Sequence, residues 1–211
     1  MQLQRRAQKS DENAENAFWL ELMTYYTADE ILVGDETAKD RRVLWRRFGY
    51  GPMGGQAYDF EPYLTRGKRV SALTYMSMRG FEDWRYTHGT FDADGFQYAT
   101  DEMLLSPKAR YGGATLASRH KVLLMDRASI HKNEAYLLKL NMYICVKLLP
   151  VQAHRFSPLD NGAYGWCVRF LQAQDTYYGQ RPIQEGLDAA FRAMPAEAAR
   201  MCYANCKYYF P

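Results

Sequence analysis

The sequence predicts an α/β protein: a mixed five-stranded sheet flanked by helices, with a helical lead-in and a helical C-terminal tail. Three observations carry that expectation. Short apolar runs alternate with amphipathic segments of helical period, the first three strand candidates are joined by short turns, and the later ones are separated by helix-length stretches. Turn-linked strands pair antiparallel and strands entered through helical crossovers pair in parallel, so the sheet is mixed. With 211 residues, 47% of them apolar, the chain is long enough for one domain with a real core plus an extension.

Residues 1–16 are polar and charged and bury no core face. AENAFWLELMTYYTADE then sets Phe18, Leu20, Leu22, Met23 and Tyr26 on one helical stripe. The apolar run 31–33, ILV, is a first strand that ends at Gly34, Asp35 and Glu36. RRVLWRRFGY is a basic and aromatic stretch ahead of the glycine-rich turn GPMGG. Around 65–78 a basic turn feeds an alternating strand with Val70, Ala72, Thr74 and Met76 on one face. Gly80 provides a tight turn, and FEDWRYTHGTF pairs back as the third strand. Asp92 starts a helix that Pro107 closes. In KVLLMDRASIHKN, four apolar residues, 122–125, form a buried fourth strand that runs straight into Asp126. NEAYLLKLNMY is the helix after it and ICVKLLPV the fifth strand. Beyond the loop QAHRFSPLD, a helix offers Tyr164, Trp166, Val168, Phe170 and Leu171 to the core. IQEGLDAAFRAM and PAEAARMCYANCKYY make the tail helical, with Pro195 at a helix start. The chain divides into a polar, helical lead-in (1–29), an α/β domain (30–175) and a helical tail (176–211).

Several classes are disfavoured. No apolar run approaches the roughly 18 residues of a membrane span, and the polar start has no signal core. Cys145, Cys167, Cys202 and Cys206 lack CxxC spacing and read as reduced thiols of an intracellular protein. Cys202 and Cys206 lie one helical turn apart, but no further ligands of suitable spacing accompany them. No GxxxxGK[ST] loop is present, so neither a nucleotide cofactor nor a nucleotide-driven motor is expected.

Three acids occupy comparable places. Asp35 ends the first strand, Asp126 ends the fourth, and Asp160 opens the helix after the fifth. Strand ends are where α/β sheets build sites, although each aspartate also reads as a helix cap, as in an unrelated α/β enzyme. If the first and fourth strands are neighbours, the carboxylates converge and repel one another unless a cation joins them. Magnesium or manganese suits an all-oxygen donor set, and two such ions can drive phosphodiester cleavage. The net charge of +3 says little by itself, but two basic clusters stand out: Arg41, Arg42, Arg46 and Arg47, then Arg66, Lys68 and Arg69. Arg46, Arg47, Lys68 and Arg69, with His131, are the expected nucleic-acid contacts. His131 near a helix start reads equally as a cap or packing residue. His154 and Arg155 fall in a loop that either touches phosphate or is simply solvated.

Taken together over residues 31–172, ILVGDE, RRVLWRRFGYGPMG, VLLMDRASIHKN and LLPVQAHRFSPLDN resemble the catalytic domain of mariner-type DDE transposases, which has a ribonuclease H-like fold. The resemblance implies DNA cleavage and strand transfer with Mg2+ (or Mn2+). It implies DNA as partner, transposon ends or target, leaves room for a homodimer, and places the chain in the nucleus. Asp35 and Asp126 match the family's first two metal-binding aspartates. Arg127 stands where asparagine is usual, and Tyr164 falls near the usual place of the third acid. Asp160, separated from Asp126 by 33 residues, is expected as a shifted third ligand. About thirty residues precede the first strand, too few for the family's helix-turn-helix pair beside the polar start. The alternative is therefore a catalytically inactive, truncated relic acting as a DNA- or partner-binding module.

Overall fold

A computed structural model of the chain describes residues 11–45, 53–55 and 67–208. Its five strands, β1 (Ile31–Lys39), β2 (Val70–Ser77), β3 (Gly80–His88), β4 (Val122–Met125) and β5 (Cys145–Leu148), form one sheet in the order β3-β2-β1-β4-β5. The β3-β2-β1 half is antiparallel, and β4 and β5 add to it in parallel. This is the mixed sheet the turn and crossover lengths predict.

Residue alternation explains why helices cover both faces. Ile31 and Val33 of β1, with Val122 and Leu124 of β4, enter a core shared with α1 (Glu12–Tyr25) and α7 (Ala196–Asn205). Leu32, Leu123 and Met125 point the other way, into a core with α2 (Ala93–Leu104) and α3 (Glu134–Asn141). A third cluster joins Val70 and Ala72 to α4 (Tyr164–Ala173) and α6 (Ile183–Ala193). Each fully buried aliphatic side chain contributes about 1.5–3 kcal/mol. Between α4 and α6 lies a single turn, α5 (Asp175–Tyr178).

Two local differences from the sequence reading bear on the site. Every residue of β2 is buried, not one face only, because both its faces are covered. Its polar residues survive burial by bonding: Thr74 Oγ1 reaches the Asp35 carbonyl and the Tyr164 hydroxyl, and Ser71 Oγ donates to the Gly89 carbonyl. The lead-in helix is also part of the body. Leu22 lies in the core, Phe18 packs on Phe156, and Arg155 pairs with the buried Glu15 at 2.5 Å.

Candidate active site

Asp35 does not end its strand, as the sequence suggested. β1 continues to Lys39, but its parallel pairing with β4 stops at Val33↔Leu124, and beyond that only β2 pairs with it. Continuing the same register sets Asp35 beside Asp126, the residue after β4. The end of the shared ladder, not the end of the strand, makes the site. Gly34 is needed just before it, because any side chain there would drive into the ring of its cross-strand partner Tyr75.

Adjacent residues of a strand face opposite ways, and Asp35 and Glu36 use this. Asp35 Oδ1 accepts from the Glu36 N–H at 2.8 Å, and its backbone carbonyl accepts from Tyr164 Oη at 3.1 Å and Thr74 Oγ1 at 3.3 Å. Burial, followed by the charges of Asp160, Glu36 and Asp126, pushes its carboxyl up to about 8. The Glu36 N–H bond works in the other direction.

Asp126 is held differently. Its Oδ1 accepts from the Ala128 N–H at 2.9 Å and lies 2.7 Å from His131 Nδ1. The His131 bond, reinforced by the Ala128 N–H, keeps its carboxyl below the usual range against the effect of burial. The other ring nitrogen, Nε2, meets Glu36 Oε1 at 2.9 Å, and the imidazole rests against Phe96 at 4.5 Å between centroids. Burial opposes the imidazolium charge, yet bonds to two carboxylates overcome it and raise His131 to about 10. The side chain is fully buried, so the nucleic-acid contact expected of His131 is corrected: it ties Asp126 to Glu36 from inside the fold.

Asp160 lies in an irregular π-helical turn, Leu159–Ala163, and does not cap a regular helix. Ser157 does the capping, its Oγ accepting from the Asp160 N–H at 3.3 Å. The chain kinks at Gly162, where a side chain would collide with Cys202. This turn brings Asp160 within electrostatic range of Asp35, where it is the strongest of the like charges. Its own carboxylate lies 3.4 Å from the exposed His154. Tyr164, at the place where an acid was usual, is half-buried and braces the Asp35 backbone instead.

Arg127 turns away from the acids: its Nε donates to the Leu149 carbonyl at 2.8 Å. Lys68 and Arg69 are exposed just ahead of β2, where Val70 pairs with Lys39, and the Arg41 side chain lies against Gly67. The described members of the two basic clusters, Arg41 and Arg42 with Lys68 and Arg69, thus lie towards the far end of the β1–β2 ladder. Arg46, Arg47 and Arg66 lie outside the described residues.

Among the described residues, no three His, Cys, Asp or Glu side chains are gathered closely enough to hold an ion as they stand. The donor chemistry nevertheless fits a hard divalent cation: carboxylate oxygens only, and in Asp35 a buried acid raised by like charges. The sequence reading missed the part played by Glu36, although its place next to Asp35 and the spacing of His131 from Asp126 were the visible signals.

No family profile and no curated protein matches the sequence. Solved structures do match in fold. The Mos1 strand transfer complex aligns over 100% of this chain and 67% of its own, at 16% identity and a TM-score of 0.62. The pre-cleavage Mos1 transpososome aligns over 100% and 68%, at 17% identity and a TM-score of 0.61. The Mos1 transposase catalytic domain with raltegravir and Mg aligns over 96% of this chain and 100% of its own, at 17% identity and a TM-score of 0.55. The chain thus has the ribonuclease H-like fold of the Mos1 mariner transposase catalytic domain.

Proposed function

We propose that the chain is a transposase-type DNA endonuclease and strand-transferase domain, hydrolysing a DNA phosphodiester and then joining the freed 3′ hydroxyl to target DNA. The observation that supports this most is the ladder register that sets Asp35 beside Asp126, with Asp160 near enough to act on the Asp35 charge. The Mos1 structures add DNA-bound assemblies and a catalytic domain with Mg or Mn.

Asp35, Asp126 and Asp160 are the residues that would hold magnesium or manganese. When bound, a pair of such ions supplies the Lewis acidity that activates the attacking water and steadies the leaving oxygen. This chain's part is orientation. His131 and the Ala128 N–H fix the Asp126 carboxylate, and the Tyr164 hydroxyl and Thr74 fix the Asp35 backbone. Asp160 closes in from its irregular turn, and Lys68 and Arg69 take backbone phosphates of the DNA.

The reading is tested by titrating Mg2+ or Mn2+ into the protein under calorimetry, with Asp126→Ala as control, followed by nicking of supercoiled plasmid. A saturable signal lost in the variant, with metal-dependent nicking, is the expected result; a signal that survives Asp126→Ala sinks it. One observation favours a second reading, an inactive DNA-binding relic: Tyr164 stands where an acid was usual, and no closed ligand group is present among the described residues. DNA binding with neither metal uptake nor nicking would decide for that reading.

A further inference from the structure

Among the described residues, most of the partly buried cations have acidic partners, and Arg41 and Lys39 do not. Lys108 meets Asp83 at 3.1 Å, Arg85 meets Glu102 at 2.9 Å, and Lys147 pairs with Glu21. Lys39, the last residue of β1, is half-buried, and its ammonium has no hydrogen bond or ion pair among the described residues. Burial lowers its ammonium, and the charge that acts against this is that of the Cys167 thiol, not of a carboxylate. A cation withdrawn from water without a counter-charge costs stability, and such a cost persists where a ligand brings the missing anion.

Its placement says which anion. Strand alternation puts Lys39 on the same side of β1 as Thr37 and Asp35. Lys39 pairs across the ladder with Val70, which follows the exposed Lys68 and Arg69. Lys39 lies four residue steps along the strand from Asp35, about 13 Å, which one strand of a duplex covers in about four nucleotides. We infer that Lys39 binds a backbone phosphate of the DNA, roughly four nucleotides from the acids, and anchors the strand that crosses the end of the β1–β2 ladder. The inference rests on the DNA-acting reading above.

The test measures binding of a labelled duplex over a range of KCl, in EDTA, by wild type, Lys39→Met and Lys39→Arg, with the thermal midpoint of each variant. Lys39→Met keeps the stem and removes the charge. It is expected to bind several-fold more weakly at moderate salt and to lower the slope of log K against log salt by about 0.9, one phosphate's worth. Its midpoint should be unchanged or higher, since an unpaired charge has been removed, and Lys39→Arg should retain the wild-type slope. Wild-type binding matched by Lys39→Met in affinity and slope would overturn the Lys39 assignment alone. No duplex binding by wild type would overturn the DNA-acting reading with it. A large fall in the Lys39→Met midpoint would make Lys39 a structural residue and also overturn the inference. Inorganic phosphate at matched ionic strength is expected to compete only weakly. Tight Lys39-dependent phosphate binding, without a difference on duplex, would assign the position to a small anion instead.

Discussion

Asp35 and Asp126 are brought side by side by one parallel ladder, yet their surroundings oppose each other. Asp126 has its counter-charge built in: His131 and an N–H hold it below the usual carboxylate range before any ligand arrives. Asp35 has burial and three acidic neighbours, which push it up to about 8. One acid is oriented by the fold, and the other is left in a condition that either a proton or a cation relieves. The difference teaches that a hard-metal site need not be uniformly acidic. On the proposed function, Asp126 would be the rigid ligand that sets the position, and the uncompensated Asp35 would supply the drive to bind.

The largest effect should come from breaking both roles at the chemistry. Under the proposed function, Asp126→Ala and Asp35→Ala should each lower metal-dependent cleavage by about 10⁴-fold or more, as single losses from an interdependent catalytic set do. Single-turnover cleavage of a labelled duplex is the measurement. A variant retaining a tenth of wild-type rate would remove that residue from the set.

The next effect separates the two acids by stability. Asp35 has a folded pKa raised above its ordinary 3.8, so the metal-free fold should lose stability as pH climbs from about 4 towards 8. The upper bound of that loss is on the order of 6 kcal/mol, at about 1.4 kcal/mol per unit. Asp126 has the opposite sign: its depressed value contributes stability above its ordinary pKa that disappears as pH falls below about 4. Thermal melts in EDTA across pH should show Asp35→Asn melting several degrees above wild type at pH 8, and Asp126→Asn melting below it. Equal shifts in one direction would erase the contrast. Added Mg2+ should narrow the gap for wild type and leave Asp35→Asn unmoved.

How much of this was legible follows from what periodicity carries. Asp126 was easy to find because four apolar residues run directly into it, and the mixed character of the sheet followed from turn and crossover lengths, whereas the pairing of the first strand with the fourth entered only as a condition. Asp35 was found but misplaced, because the point where a strand loses one of its two neighbours leaves no mark in its own sequence. The full burial of β2 was hidden by Ser71, Thr74 and Ser77, polar residues whose partners lie elsewhere in the chain. Asp160 was named as an acid, but the π-helical turn that aims it breaks helical period and so defeats a periodic reading. Arg127 and His131 had the right spacing and hidden directions: one turns out to a carbonyl, the other inward between two acids.

That inward histidine supplies a smaller effect. His131→Gln keeps a donor for one carboxylate and loses the second, so Asp126 should be less firmly set. Loss of such an orienting contact typically lowers metal affinity about 10- to 100-fold. Calorimetry with Mn2+ reads it, and an unchanged affinity would show that Asp126 needs no brace.

The smallest expected effect is the most discriminating. Glu36 adjoins Asp35 in sequence but faces the other way, to His131 Nε2 at 2.9 Å. If Glu36 serves His131 and not the metal, Glu36→Gln keeps an acceptor for that ring nitrogen and should change Mn2+ affinity by no more than about threefold. It also removes one of the charges that raise Asp35, so the stability loss between about pH 4 and 8 should shrink while that of Asp126 at acid pH persists. If Glu36 were a ligand, the same variant would lose metal binding as fully as Asp35→Asn does. Glu36→Ala then completes the argument, because it takes the acceptor as well as the charge. It should behave like His131→Gln, with metal affinity falling through the loosened histidine, and the difference between the two Glu36 variants measures what the His131 brace contributes.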